Sequence, residues 1–172
     1  NSIFLANKNF IVDAHVDYDD DKKNVLIKPS NLKIGHSEFA VNGNYVYKEK
    51  NLIDLKAEGK NTDIQTLLSL LPEDITKKLK QYRSDGDVFF NLTLKGEISD
   101  KKSPFISASF GCTDATLYHP DYKSKITHAN LNGSFASPSL TDLASAQLFL
   151  KDMEGELNGK SFKANLSIRE FN

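Results

Sequence analysis

The residues that could carry out metal chemistry are few and scattered. His15 lies between Asp13 and Asp17 at alternate positions, a spacing that places an imidazole and two carboxylates on one polar face of a strand. The other three histidines have no second ligand at a comparable spacing: His36, His119 and His128. The sequence therefore predicts no metal site, and the segment around His15 is the one weak candidate.

The sequence also offers few candidates for a catalytic nucleophile or a general acid or base. Cys112 follows Gly111 with no recognisable base beside it, so we predict a buried, inert thiol. Asp17 and Asp19 are close in sequence, but solvation in a turn explains such carboxylates better than catalysis does. The chain contains neither a G-x-S-x-G motif nor a phosphate-binding glycine loop. We expect no enzyme, no catalytic residue and no cofactor; a hydrolase would need carboxylates or histidines that cluster in space.

Composition narrows the class of protein further. The 172 residues carry a net charge of -1, which argues against a nucleic-acid partner. No run approaches the roughly 18 apolar residues that a membrane-spanning helix needs. We expect a single β domain over residues 1–172, or a fragment of a longer protein, because the sequence begins at Asn1 without a signal peptide.

Most of the chain alternates between apolar and polar residues, the period of β-strands. From Phe10 to Tyr18 the pattern predicts one half-buried strand, followed by a solvated turn at residues 19–24. Pro29 predicts an edge or a bend in the next strand. Asn158-Gly159 is a strong hairpin turn signal between the last two strands.

Two hairpins follow one plan, at residues 32–47 and 153–171. In each, a short strand and a glycine-containing turn precede a serine and a phenylalanine, at Ser37 and Phe39 in the first and at Ser161 and Phe162 in the second. This repetition predicts an extended, curved antiparallel sheet that is mainly β and built of repeated hairpins.

A short helical pair is predicted over residues 62–82, the one interruption of the β pattern. Thr62 and Gln65 have the spacing of a capping box, and Pro72 separates two helices. The first helix has an apolar stripe at helical spacing: Ile64, Leu67, Leu68 and Leu71. We expect this stripe to cap one end of the sheet, while contact with lipid or a partner chain is the alternative.

The order of these segments resembles the C-terminal region of AsmA-like proteins of Gram-negative bacteria. The resemblance rests on L-x-I-G-x-S-x-F-x-V-x-G at residues 32–43, LIDLKAEGKNTDIQTLLSLLP at 52–72, DGDVFFNLTLKG at 85–96 and MEGELNGKSFKANLSIREF at 153–171. It covers most of the chain from Asn31 onward and contains no catalytic signature.

This resemblance implies a periplasmic protein that takes part in outer-membrane biogenesis and is anchored to the inner membrane through a segment outside this sequence. Related TamB-type proteins look like bridge-type lipid-transfer proteins, in which a β-sheet lines an apolar groove. Lipid acyl chains, other envelope proteins and the remainder of a longer chain are therefore the expected partners. The candidate groove residues are Phe39, Val41, Tyr45, Val88, Phe90, Leu92, Phe162, Leu166 and Ile168.

Two alternatives to a lipid groove remain open in the sequence. The same nine residues could form an ordinary hydrophobic core. A surface β-sandwich that binds glycan or protein through exposed aromatic residues would instead use four tyrosines: Tyr45, Tyr47, Tyr118 and Tyr122.

Overall fold

A computed structural model describes residues 10–34, 37–62, 83–119, 121, 124–139 and 144–169. Ten β-strands are present among these residues. The first five are β1 (Phe10–Asp13), β2 (Val16–Asp19), β3 (Asn24–Ile34), β4 (Ser37–Tyr47) and β5 (Asn51–Asn61). The second five are β6 (Arg83–Ile98), β7 (Phe105–Tyr118), β8 (Lys125–Ser137), β9 (Gln147–Leu157) and β10 (Lys160–Arg169).

The strands form one open antiparallel sheet in the order β1-β3-β4-β5-β6-β7-β8-β9-β10, with β2 beside β1 on the outer edge of β3. From β3 onward each strand pairs with its neighbour in sequence, so the sheet is a meander of hairpins. The predicted antiparallel β fold is thus confirmed at this level. Extensive packing between described strands occurs only between hydrogen-bonded neighbours, and the described part of the sheet is a single layer.

The predicted strand from Phe10 to Tyr18 is two short strands, and their side chains are largely exposed rather than half-buried. Both strands pair with β3, whose register shifts between Ile27 and Ser30. Pro29 lies in this bulge and cannot donate a ladder hydrogen bond. The interruption falls at His15, whose N–H donates to Ser30 Oγ (3.1 Å) and whose carbonyl accepts from Lys28 N–H (2.9 Å). Pro29 therefore coincides with a register shift, and β3 continues through it from Asn24 to Ile34.

The predicted helical pair at residues 62–82 falls, except for Thr62, outside the described residues, and with it the four residues of the apolar stripe. Thr62 itself is not helical. It forms an isolated bridge with Val88, and its hydroxyl donates to the Val88 carbonyl oxygen (2.6 Å). The side chain expected to cap a helix therefore joins β5 to β6.

The hairpin turn predicted at Asn158-Gly159 is confirmed. Asn158 has a φ of 53° and Gly159 a φ of 74°, and Leu157 pairs directly with Lys160 across the two-residue loop. Positive φ at both loop residues defines the turn whose twist matches that of the flanking strands. Asparagine and glycine are the residues that adopt this conformation at least cost.

A row of β-bulges crosses the sheet from β6 to β10. Its positive-φ residues are Gly86 on β6, Asp114 on β7, His128 on β8 and Asp152 on β9. The register shifts at this level in each of these strand pairs, including between Ala164 and Leu166 of β10. A bulge bends its own strand and increases the local twist, and here the bulges lie at one level across neighbouring strands.

Candidate functional site

One face of the sheet is apolar across almost its whole width. Side chains opposite each other in an antiparallel ladder share a face, so the register identifies transverse rows. One row reads Val41, Ala57, Leu92, Ala108, Phe135, Leu148 and Ile168 from β4 to β10. Seven strands at about 4.8 Å spacing give this row a length of roughly 29 Å. We call the face that carries this row the apolar face.

All nine predicted groove residues lie on the apolar face. Those of β4 and β6 are separated only by β5, about 10 Å, and the rings of Phe39 and Phe90 meet edge to face at 6.1 Å. Those of β10 lie four strands from β6, roughly 19 Å away. Phe39 is buried, whereas Leu166 and Ile168 are 43% and 36% exposed.

Six further side chains join the β6 group to the β10 group and were absent from the prediction. They are Ala108, Phe110, Leu131, Phe135, Leu148 and Leu150, all on the apolar face by register. The signal that could have found them was present, because β7, β8 and β9 alternate in the same way as β4. Once each hairpin partner is assigned, alternation fixes the face of every residue.

No described element packs against the apolar face. Its side chains range from buried, as at Phe39, to largely exposed. Its outermost residues are the most exposed: Phe10 at 59%, Val16 at 52% and Tyr18 at 64%. A continuous apolar surface of this extent is typical of a ligand-binding surface or an interface.

The opposite face is mainly polar, although Leu52, Phe89 and Phe105 lie exposed on it. It carries ion pairs between directly opposed residues. Lys95 Nζ lies 2.9 Å from Asp54 Oδ2, and Lys163 Nζ lies 3.0 Å from Glu154 Oε2. Lys95 lowers the pKa of the Asp54 carboxyl by hydrogen bonding. These pairs are exposed and contribute little to stability individually.

A shallow depression of about 290 Å³ lies on the polar face. Its floor is formed mainly by hydroxyl and amide side chains of β6, β7 and β8, including Asn91, Thr93, Ser107 and Ser134, and Phe149 forms one wall. No titratable side chain lines it. The depression therefore offers hydrogen bonds but no acid or base.

The tyrosines of the alternative prediction do not form one surface. Tyr45 and Tyr47 stack with ring centroids 6.3 Å apart, and Tyr18 stacks on Tyr47 at 6.1 Å. Hydrogen bonding with Tyr47 and with the Asp20 carboxylate raises the pKa of the Tyr18 hydroxyl well above its ordinary range. Tyr118 lies at the other end of the sheet, opposite Arg83, and Tyr122 is outside the described residues.

The side chains considered for metal binding and nucleophilic attack are dispersed. Asp17 forms an ion pair with Lys28 (2.7 Å). Cys112 is buried, burial raises the pKa of its thiol, and its Sγ donates to the Ala129 carbonyl at 3.5 Å. The described residues contain no cluster of three or more histidine, cysteine or acidic side chains that could hold a metal ion. His36 is outside them.

His128 and Asp114 form the closest contact between titratable side chains of the bulge row, with Nδ1 and Oδ1 2.7 Å apart. Hydrogen bonding to Asp114 raises the pKa of His128. Both side chains are exposed. The pair joins the bulge of β7 to the bulge of β8.

Comparison with known proteins gives no relative from which a function could be transferred. No protein family, no curated protein and no solved structure matches the chain. Among the residues that the structure describes, no helix has the length and hydropathy needed to cross a membrane.

Proposed function

We propose that the chain is a non-catalytic, periplasmic domain of the AsmA-like type that binds lipid acyl chains on its apolar face. In this role it would serve phospholipid transport in outer-membrane biogenesis as part of a longer, membrane-anchored protein. The observation that carries the proposal is the apolar row that runs without a polar interruption from Val41 on β4 to Ile168 on β10.

The physical argument for an acyl ligand is one of area and charge. Covering apolar surface gains about 25 cal/mol per Å², or roughly 0.8 kcal/mol for each buried CH₂ group. The row Val41 to Ile168 contains no charged side chain, whereas the row directly behind it includes Lys56, Thr93, Ser107 and Arg169. An uncharged, elongated ligand is therefore favoured on one face only.

Bending along the bulge row would make such a surface into a groove. The predicted helical pair would cover one long side of the groove, because β5 ends and β6 begins at the same end of the strands. In this arrangement Ile64, Leu67, Leu68 and Leu71 would face the apolar side.

The test is lipid capture by the chain and by two matched double variants. Leu166→Glu with Ile168→Glu places two charges on the apolar face of β10, and Ser161→Glu with Ser167→Glu places two on the polar face of the same strand. After expression in the periplasm of a Gram-negative host, bound lipid is extracted and identified, and the affinity for a fluorescent fatty acid is measured. Circular dichroism checks that all three proteins retain the sheet.

We expect phospholipid or fatty acid with the parent chain and with the serine variant. The leucine and isoleucine variant should bind the fatty acid at least about tenfold more weakly, since two apolar contacts are lost. Absence of lipid from the parent chain, or equal loss in both variants, would refute the proposal.

The glycan-binding alternative predicts a different result. It requires exposed aromatic rings at one place, and the stack of Tyr18, Tyr45 and Tyr47 is the described surface that comes nearest to this. Specific binding on a glycan array, abolished by Tyr18→Ala and unaffected by the glutamate substitutions on β10, would favour that function instead.

A further inference from the structure

Both outer edges of the sheet lack a partner strand among the described residues. One edge is β10; the other is formed by β1 and β2, which lie end to end along β3. An edge strand presents unpaired N–H and C=O groups and is a template for another strand. Each edge is also apolar on one face, with exposed side chains that include Val12 and Leu166.

The two edges carry opposite charges. The ten residues of β10 include Lys160, Lys163 and Arg169 and no acidic residue. The eight residues of β1 and β2 include Asp13, Asp17 and Asp19 and no lysine or arginine. Like edges would therefore repel each other, whereas unlike edges would attract.

The geometry of the sheet also matches the two edges. Along the strand order each step reverses direction, and eight steps separate β1 from β10, so these strands run parallel. Residues 10–19 and residues 160–169 span equal lengths, and in both segments the even-numbered residues lie on the apolar face. Placed side by side in parallel, they oppose Asp13 to Lys163 and Asp19 to Arg169, with the apolar faces continuous.

We propose that the β10 edge of one copy of this chain binds the β1-β2 edge of a second copy. Pairing is parallel and head to tail, so a pair of copies keeps one free β1-β2 edge and one free β10 edge. Further copies can add at these edges, and the assembly is open-ended. Lys163 and Asp19 already have ion-pair partners, Glu154 and Lys22, but these pairs are exposed and weak, and they leave both charges accessible. The proposal does not depend on what the apolar face binds.

Sedimentation velocity over a concentration series tests the association, with two charge-reversed proteins. Variant one is Lys163→Asp with Arg169→Asp, and variant two is Asp13→Lys with Asp19→Lys. A control with the same charge change as variant one, Lys56→Asp with Lys101→Asp, alters exposed residues away from both edges.

The parent chain and the control should self-associate, more weakly in high salt. Each edge variant alone should show an association constant at least about tenfold lower, because two opposed ion pairs become like-charge pairs. An equimolar mixture of the two variants should recover association, because every basic edge then meets an acidic one. A parent chain that stays monomeric, edge variants that associate normally, or a mixture without recovery would each overturn the proposal.

Disulfide trapping tests the register. A chain with Asp17→Cys mixed with a chain with Ser167→Cys should form a crosslinked heterodimer under mild oxidation. Ser161→Cys in place of Ser167→Cys, six residues away on the same face, should not. The parent chain, whose one cysteine is buried, provides the background. Equal crosslinking at both positions would refute the parallel register.

Discussion

Asn130 is the side chain on which the bulge row should depend most. Its Oδ1 accepts a hydrogen bond from the Asp114 N–H (3.0 Å). Its Nδ2 donates to the His128 carbonyl oxygen (3.3 Å) and to Glu154 Oε1 (3.4 Å). One amide thus connects β7, β8 and β9 at the level where all three strands have a positive-φ residue. We predict that Asn130→Ala destabilises the sheet.

The magnitude follows from these distances. A well-formed hydrogen bond contributes about 0.5–1.5 kcal/mol net, and the two longer contacts add less. Asp114 is exposed, so water can replace the lost acceptor and the full desolvation penalty does not apply. We expect a loss of about 1 kcal/mol, or roughly 2–4 °C in Tm for a chain of this size.

The variant Asn130→Asp distinguishes the contribution of the hydrogen-bond acceptor, Oδ1, from that of the donor, Nδ2. Aspartate keeps the acceptor for Asp114 N–H but loses the donor, and it places a carboxylate beside Glu154 and Asp114. The loss should exceed that of Asn130→Ala at pH 7 and should shrink towards pH 4, as protonation relieves the repulsion.

Chemical denaturation of the parent and the two variants measures these differences, with Asn42→Ala as control. Asn42 is exposed on β4, away from the bulges, and its removal should change stability by no more than about 0.5 kcal/mol. If Asn130→Ala costs no more than the control, the bulge row does not rely on this amide and the reasoning fails.

Three other predictions concern the positive-φ and close-packed positions. His128→Asn keeps a residue that tolerates positive φ but removes the imidazolium. Because the folded pKa of His128 is raised from 6.5, its contribution is fully present below about pH 6.5 and is lost as pH rises through the folded value. The Tm difference from the parent should therefore be larger at pH 5.5 than at pH 9, and a pH-independent difference would contradict the ion pair with Asp114. Gly159→Ala should cost about 1 kcal/mol, a purely conformational effect because an added Cβ meets nothing within 4 Å; thermal melts measure it. Gly43→Ala should cost more than Gly159→Ala in the same assay, since its Cβ would lie 2.5 Å from the Asp54 carbonyl oxygen on the neighbouring strand.

Alternation and turn chemistry were enough to predict much of the sheet. Asn158-Gly159 is a local signal, and the structure contains that hairpin with the expected backbone angles. The apolar side of β10 was likewise readable from Phe162, Ala164, Leu166 and Ile168, because a period of two depends only on the strand itself.

Features that depend on pairing between neighbouring strands could not be predicted from the sequence. The segment from Phe10 to Tyr18 alternates as one strand, but its partner has a bulge at Pro29 and splits it into two. The bulges at Asp114, His128 and Asp152 were also missed, since positive φ at these residue types has no distinctive sequence signal. The continuous apolar face required the register of every neighbouring pair, a long-range property that no single segment encodes.

The meander order has a consequence for how the protein acquires its shape and size. From β3 to β10 no connection crosses over another strand. Folding can therefore begin at any one hairpin and proceed outward by successive addition of strands, with short loops to close at most steps. A hairpin could also be duplicated or deleted without rethreading the chain. The width of the surface is thus an adjustable quantity in evolution, whereas its two-faced character is inherited by every added pair of strands.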